Sequence, residues 1–166
     1  MPHKMPSTVN AFLRSRRSIR KFNGQRIPAE VLREILEMAT FAPSAHGLQP
    51  WRFVLVDSGS ARRALALALT DKMQADMRAD NAPEAEIRSR VERSLRRIAE
   101  APHILLLCRD VEAARTQSPQ EDLMSIQSVA MAGLQLMQAA HARGLGSNWI
   151  CWPLYAQAET IRALNL

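Results

Sequence analysis

The stretch "EDLMSIQSVAMAGLQLMQAAHA", residues 121 to 142, constrains this chain more than any other. It predicts a helix that is apolar almost all the way round, and such a helix must lie in a core or at a subunit interface. The remaining segments are short enough to pack around it. Residues 8 to 15 predict a helix with Val9, Phe12 and Leu13 on one face, capped near Ser7 or Thr8. After the turn "NGQRI", Pro28 at a first helical position opens a second helix carrying Val31, Leu32, Ile35, Leu36 and Ala39. Residues 60 to 79 and 83 to 100 predict two more, broken at "DNAP", and "PLYAQAETIRALNL" starts a last one.

Three strands are expected between these helices. "WRFVLV" (51–56) runs apolar into the turn residues "DSGS". "PHILLLC" (102–108) is apolar without alternation, as strands covered on both faces are. "NWIC" (148–151) is a short third. Strands alternating with helices point to an α/β or α+β class with a small sheet. With no internal repeat and no linker long enough to divide it, the 166-residue chain reads as one domain.

Composition narrows the function classes. Hydrophobic residues make up 47% but aromatic ones only 5%, which suits a helix-rich domain that buries its core without metal or disulfide. Cys108 and Cys151 stand far apart in apolar contexts, with neither metal-ligand nor redox-pair spacing. "MPHKMPSTVN" lacks the apolar core of a secretory signal, and no segment reaches the about 20 apolar residues that span a bilayer. A soluble, cytoplasmic chain is therefore expected. The net charge of +6 and pI near 10.3 invite a nucleic-acid reading. The distribution argues against it: Arg88, Arg90, Arg93, Arg96 and Arg97 are mixed with Glu84, Glu86, Glu92 and Glu100, as on a solvated amphipathic helix.

Three stretches could carry chemistry. In "RRSIRKF" (16–22), guanidinium forks and a serine hydroxyl suit phosphate oxygens. An extended backbone would turn Arg16, Ser18 and Arg20 to one side, with Arg17 and Ile19 opposite. The same residues equally describe a solvated helix end favoured by the helix dipole. In "APSAHGLQPWRFVLV", the small residues Ala42, Pro43, Ser44, Ala45 and Gly47 would let backbone lie flat against a planar ligand, or simply form a loop. In "ARGLGSNWICWP", glycines bracket a turn, and because they follow a helix they are not a dinucleotide fingerprint.

In that order and combination, "RRSIRKF", "APSAHGLQPWRFVLV" and "AAHARGLGSNW" resemble the nitroreductase-like family of FMN-dependent oxidoreductases, over roughly residues 10 to 165. Within it, "PWRFVL", the spacing to "DKMQADMRAD" and the run "RRIAEAPHILLLC" look most like the reductase domain of the bifunctional deazaflavin-coenzyme biosynthesis enzyme. The resemblance implies an α+β fold, a three-layer α/β/α sandwich whose small mixed sheet is flanked by helices. It also implies a homodimer with FMN at the subunit interface and NAD(P)H as donor. Arg16, Arg17, Ser18 and Arg20 match the stretch that holds the FMN phosphate and the polar edge of the flavin. Pro43, Ser44 and Ala45 match the loop that reaches the flavin from the other subunit, and Gly47 stands where many relatives have Asn. Gly146, Ser147 and Cys151 fall in the stretch near the reactive flavin nitrogen, where a backbone amide is the expected donor. Asp76 matches a substrate contact of the deazaflavin-related domain, and His46, in the flavin loop, is the histidine with a candidate substrate role. Family members usually continue into a further strand that crosses to the partner, so the resemblance implies that a chain ending at Leu166 either is truncated or lacks that contribution.

No side chain is expected to act as catalytic acid or base, since the chemistry would lie on FMN. His103 and His141 read as structural, and Met124, Met131 and Met137 as core or dimer packing. Three functions remain open: an FMN reductase of nitro, quinone or similar acceptors; one acting on a deazaflavin or its dehydro precursor; and a non-catalytic basic binding protein.

Overall fold

The computed structural model describes residues 8–166. Eight regular elements appear among them: α1 (Val9–Ser15), α2 (Ala29–Ala39), β1 (Trp51–Leu55), α3 (Gly59–Ala79), α4 (Glu84–Glu100), β2 (Leu105–Arg109), α5 (Pro119–Ala142) and α6 (Gln157–Leu164). Helix starts follow side-chain chemistry. Thr8, Ser58 and Ser118 each accept a backbone N–H three residues on, capping α1, α3 and α5. Ser118 with Pro119 and Glu121 is why α5 begins two residues before the apolar run does. Pro28 takes the cap position of α2, one residue ahead of its first turn. Ser7, the other expected cap, lies outside the described residues.

The chain forms two compact units. One gathers residues 8–19 with Ile27–Leu55 and Leu105–Asn148. Its sheet has two antiparallel strands, with Trp51 opposite Arg109, Phe53 opposite Leu107 and Leu55 opposite Leu105. Ala42, Trp51 and Ala132 form a buried cluster, with Phe53, Leu107 and Val129 packed on it. Leu32, Ile35 and Ala39 turn the buried face of α2 toward α5. The other unit comprises Arg20–Arg26, Val56–Ile104 and Trp149–Leu166. There α3 buries Leu65, Ala66, Leu69 and Thr70 and packs on both α4 and α6. Arg62 fixes the end of α4 by donating to the carbonyl of Ala101.

The α+β class is as expected, and the sheet differs in detail. It is antiparallel and two-stranded where a mixed sheet was expected. The one parallel pairing among the described residues is an isolated bridge between Ser18 and Ser147. "NWIC" is not a strand: Trp149 Nε1 donates to Cys151 Sγ at 2.9 Å, which folds the segment locally. β2 starts at Leu105, not 102, and buries only Leu106 fully, so it is not covered on both faces. α5 is also less buried than its composition suggests. It hides its small residues (Ser125, Ser128, Ala132, Gly133, Ala140) and exposes Leu123, Ile126, Met131 and Leu134. Both cysteines are free, and no described helix is long and apolar enough to cross a membrane.

Candidate functional site

Two of the three singled-out stretches meet in the first unit. The chain leaves α1 at Arg16 and runs extended to Ile19, whose N–H donates to the carbonyl of Ser147 at 2.9 Å. α5 ends at Ala142, and Gly144 takes a left-handed turn with φ +71. That turn sends Leu145 to Ser147 back beside the basic stretch. A Cβ at Gly146 would lie 2.9 Å from Ile19 Cβ, so only glycine lets the two segments come this close. Between them is a cavity of about 110 Å³ lined by Arg16, Arg17, His141, Gly146 and Ser147, with Ser15 and Ile19 among the other walls.

The side chains do not alternate as an extended strand would have them. Arg16, Arg17 and Ile19 all line the cavity, whereas Ser18 is the residue bridged to Ser147. The Arg17 guanidinium donates to the carbonyls of Arg14 at 2.6 Å and Arg16 at 2.9 Å, meeting the free acceptors at the end of α1. Arg16 is half-buried. Arg20 and Cys151 are exposed and belong to the other unit.

The loop after α2 is built separately within the first unit. His46, Gly47 and Gln49 all have positive φ, at 55, 69 and 48. Left-handed backbone at His46 and Gln49 is strained, and hydrogen bonds hold it in place. Ser128 Oγ accepts from Ala45 N at 3.0 Å, Ser44 Oγ accepts from Gln49 N at 3.1 Å, and Gln49 Nε2 donates to the Thr40 carbonyl at 3.3 Å. Gly47 adopts this left-handed conformation without steric cost. His46 Nε2 lies 3.4 Å from Glu121 Oε1 in the first turn of α5. Pro43 is exposed, and none of residues 43 to 47 lines the Arg16 cavity.

Asp76 is in the second unit, on α3, and pairs with Lys72 one turn earlier. It borders a cavity of about 240 Å³ with Met73, Asp80, Trp152 and Tyr155. Among the described residues no group of three or more His, Cys, Asp or Glu could hold a metal ion. Ser15, which the sequence pattern did not single out, and His141, which it read as structural, are both wall residues. Nothing in local spacing signals a contact across 126 positions.

Two arginines beside a glycine turn line the Arg16 cavity, a residue set whose chemistry suits an anion. At about 110 Å³ the cavity is well below the roughly 300 Å³ at which small-molecule sites begin.

Known proteins resemble the chain over this whole arrangement. It is 33% identical to the 5,6-dimethylbenzimidazole synthase of Rhodospirillum rubrum over 145 residues, 86% of this chain and 68% of that relative. It is 54% identical to the NADH dehydrogenase of Thermus thermophilus over 50 residues, 30% of this chain and 24% of that relative. Among solved structures, it superimposes on an FMN-dependent nitroreductase of Clostridium difficile R20291 with a TM-score of 0.65 and 27% identity, covering 93% of this chain and 76% of that one. The profile of the nitroreductase family matches residues 13–166, taking in the basic turn, the strained loop and the glycine turn, and the chain belongs to that family.

Proposed function

We propose that the chain is an FMN-dependent NAD(P)H oxidoreductase. It passes hydride to a nitro, quinone or similar small acceptor by a ping-pong cycle, as a homodimer. The observation that carries this is the meeting of the Arg16–Arg17 turn with the Gly146 turn around a phosphate-sized cavity. FMN and NADH in the names of the matched proteins support the cofactor and the donor.

The bound flavin supplies the hydride chemistry. Arg16 pairs with the phosphate, and Ser18 adds a hydroxyl to the grip on it. Positive charge near the ring also favours its electron-rich, reduced form. Gly146 and Ser147 bring backbone to the polar edge of the ring without side-chain bulk. Cys151 lies in the same matched stretch. Pro43, Ser44, Ala45 and Gly47 serve the site of the partner, which is why their loop is rigidly held yet absent from the chain's own cavity. His46 contacts the acceptor there. The exposed apolar face of α5 (Leu123, Ile126, Met131, Leu134) supplies the homodimer contact.

A second reading keeps FMN and makes the substrate a deazaflavin or its dehydro precursor. The cavity beside Asp76 favours it, because Trp152 and Tyr155 offer aromatic surface to a planar ring system. Anaerobic titration separates the two. Bleaching of bound flavin by NADH or NADPH, with recovery on adding menadione, is the expected result. Bleaching by reduced deazaflavin alone would select the second reading. A colourless protein that takes up no added FMN would sink both and leave a non-catalytic binding protein.

A further inference from the structure

We infer that Phe12, Ser15 and His141 form a lock that positions the arginines of the anion cavity, an inference that rests on the flavin reading above for the identity of the anion. α1 has seven residues and buries none of them, with Val9 74% and Leu13 51% exposed. A helix that short does not hold its shape by propensity alone. Its C-terminal end is instead fastened to α5. Ser15 Oγ lies 2.8 Å from His141 Nε2, and the Phe12 ring stacks on the imidazole with centroids 5.0 Å apart and planes 29° apart.

Counting hydrogens assigns the direction of that bond. The single hydroxyl proton of Ser15 goes to the Phe12 carbonyl at 2.8 Å, so His141 Nε2 carries a proton and donates it to Ser15. His141 belongs to the last turn of α5, next to fully packed Ala140, so the lock ties the least anchored helix of this unit to its longest one. Arg16 follows Ser15 directly. Three residues further on, Ile19 is tied to Ser147 by its backbone N–H. The turn bearing Arg16, Arg17 and Ser18 is thus pinned at both ends, by the lock upstream and by the bridge downstream. His141 and Ser15 also face the cavity itself. They are positioning residues, because what they hold in place is the guanidinium groups that meet the anion.

Equilibrium binding of FMN and of riboflavin to the apoprotein tests this, since the two ligands differ only in the phosphate. Ser15→Ala and His141→Ala are expected to weaken FMN binding about tenfold and riboflavin binding less than twofold, while His141→Gln, which keeps a donor, retains most of the FMN affinity. Variants that melt earlier but keep the wild-type ratio of the two affinities would overturn the lock and leave the flavin reading standing. If the wild-type protein binds neither flavin, the flavin reading fails, and inorganic phosphate decides the lock. Thermal protection by phosphate that is lost in Ser15→Ala upholds it. Protection equal in both proteins, or absent from both, overturns it.

Discussion

Single residues set the tightest limits on the site. Gly146→Ala would place a methyl group 2.9 Å from both Cβ and Cγ2 of Ile19, a β-branched side chain with little room to turn away. The strain should cost about 1–3 kcal/mol, read as a lower urea midpoint with an unchanged slope. The thiols should separate by accessibility. Cys151 is exposed, whereas burial pushes the Cys108 thiol above its ordinary range, so iodoacetamide at pH 8 should label Cys151 first by peptide mass. Asp57 should shape the acid limb of stability. The hydrogen bond from Arg26 holds its carboxyl below the usual carboxylate range. Its folded pKa lies below the unfolded one, so the stabilisation is complete above the unfolded value and lost as pH falls through the folded one. Asp57→Asn should therefore lower the melting temperature at pH 7 and leave it unchanged in strong acid. The residue types at Arg16, Ser44 and Gly146 were legible in the sequence as ligand-friendly chemistry. The Ser15–His141 contact was not, because it joins positions far apart in sequence that share no local pattern.

Among the elements, α5 carries the most consequence. Its outward apolar residues Ile126 and Leu134 are 55% and 46% exposed, and the inward face is already closed by small side chains. Replacing both with Lys should leave the folded monomer's melting curve close to wild type and convert a dimer to monomer in light scattering. On the proposed two-chain site, flavin should be lost with the dimer. Helix positions were legible because caps are local: Thr8, Ser58 and Ser118 sit next to the backbone groups they satisfy. The third strand was not legible, because a strand exists only where a partner edge meets it. "NWIC" has β-like composition but no such partner among the described residues, and only Ser147 forms a bridge.

At the scale of the whole molecule, the order of the three stretches along the chain carried the family, and the family profile running through both compact units bears that out. Order alone could not tell which stretches share a pocket. The turn at Gly144 brings the third stretch back to the first, and the strained loop at 44–49 is fastened to α5 instead. From that division comes the central claim, that one chain supplies a phosphate grip at Arg16 and a partner completes the flavin site. FMN affinity of the Arg16→Ala protein, with circular dichroism as a check on folding, tests it most directly. Wild-type protein should bind FMN, and the variant should keep its helical spectrum and release the flavin, with affinity down at least tenfold. A folded variant that holds FMN as tightly as wild type would contradict the claim.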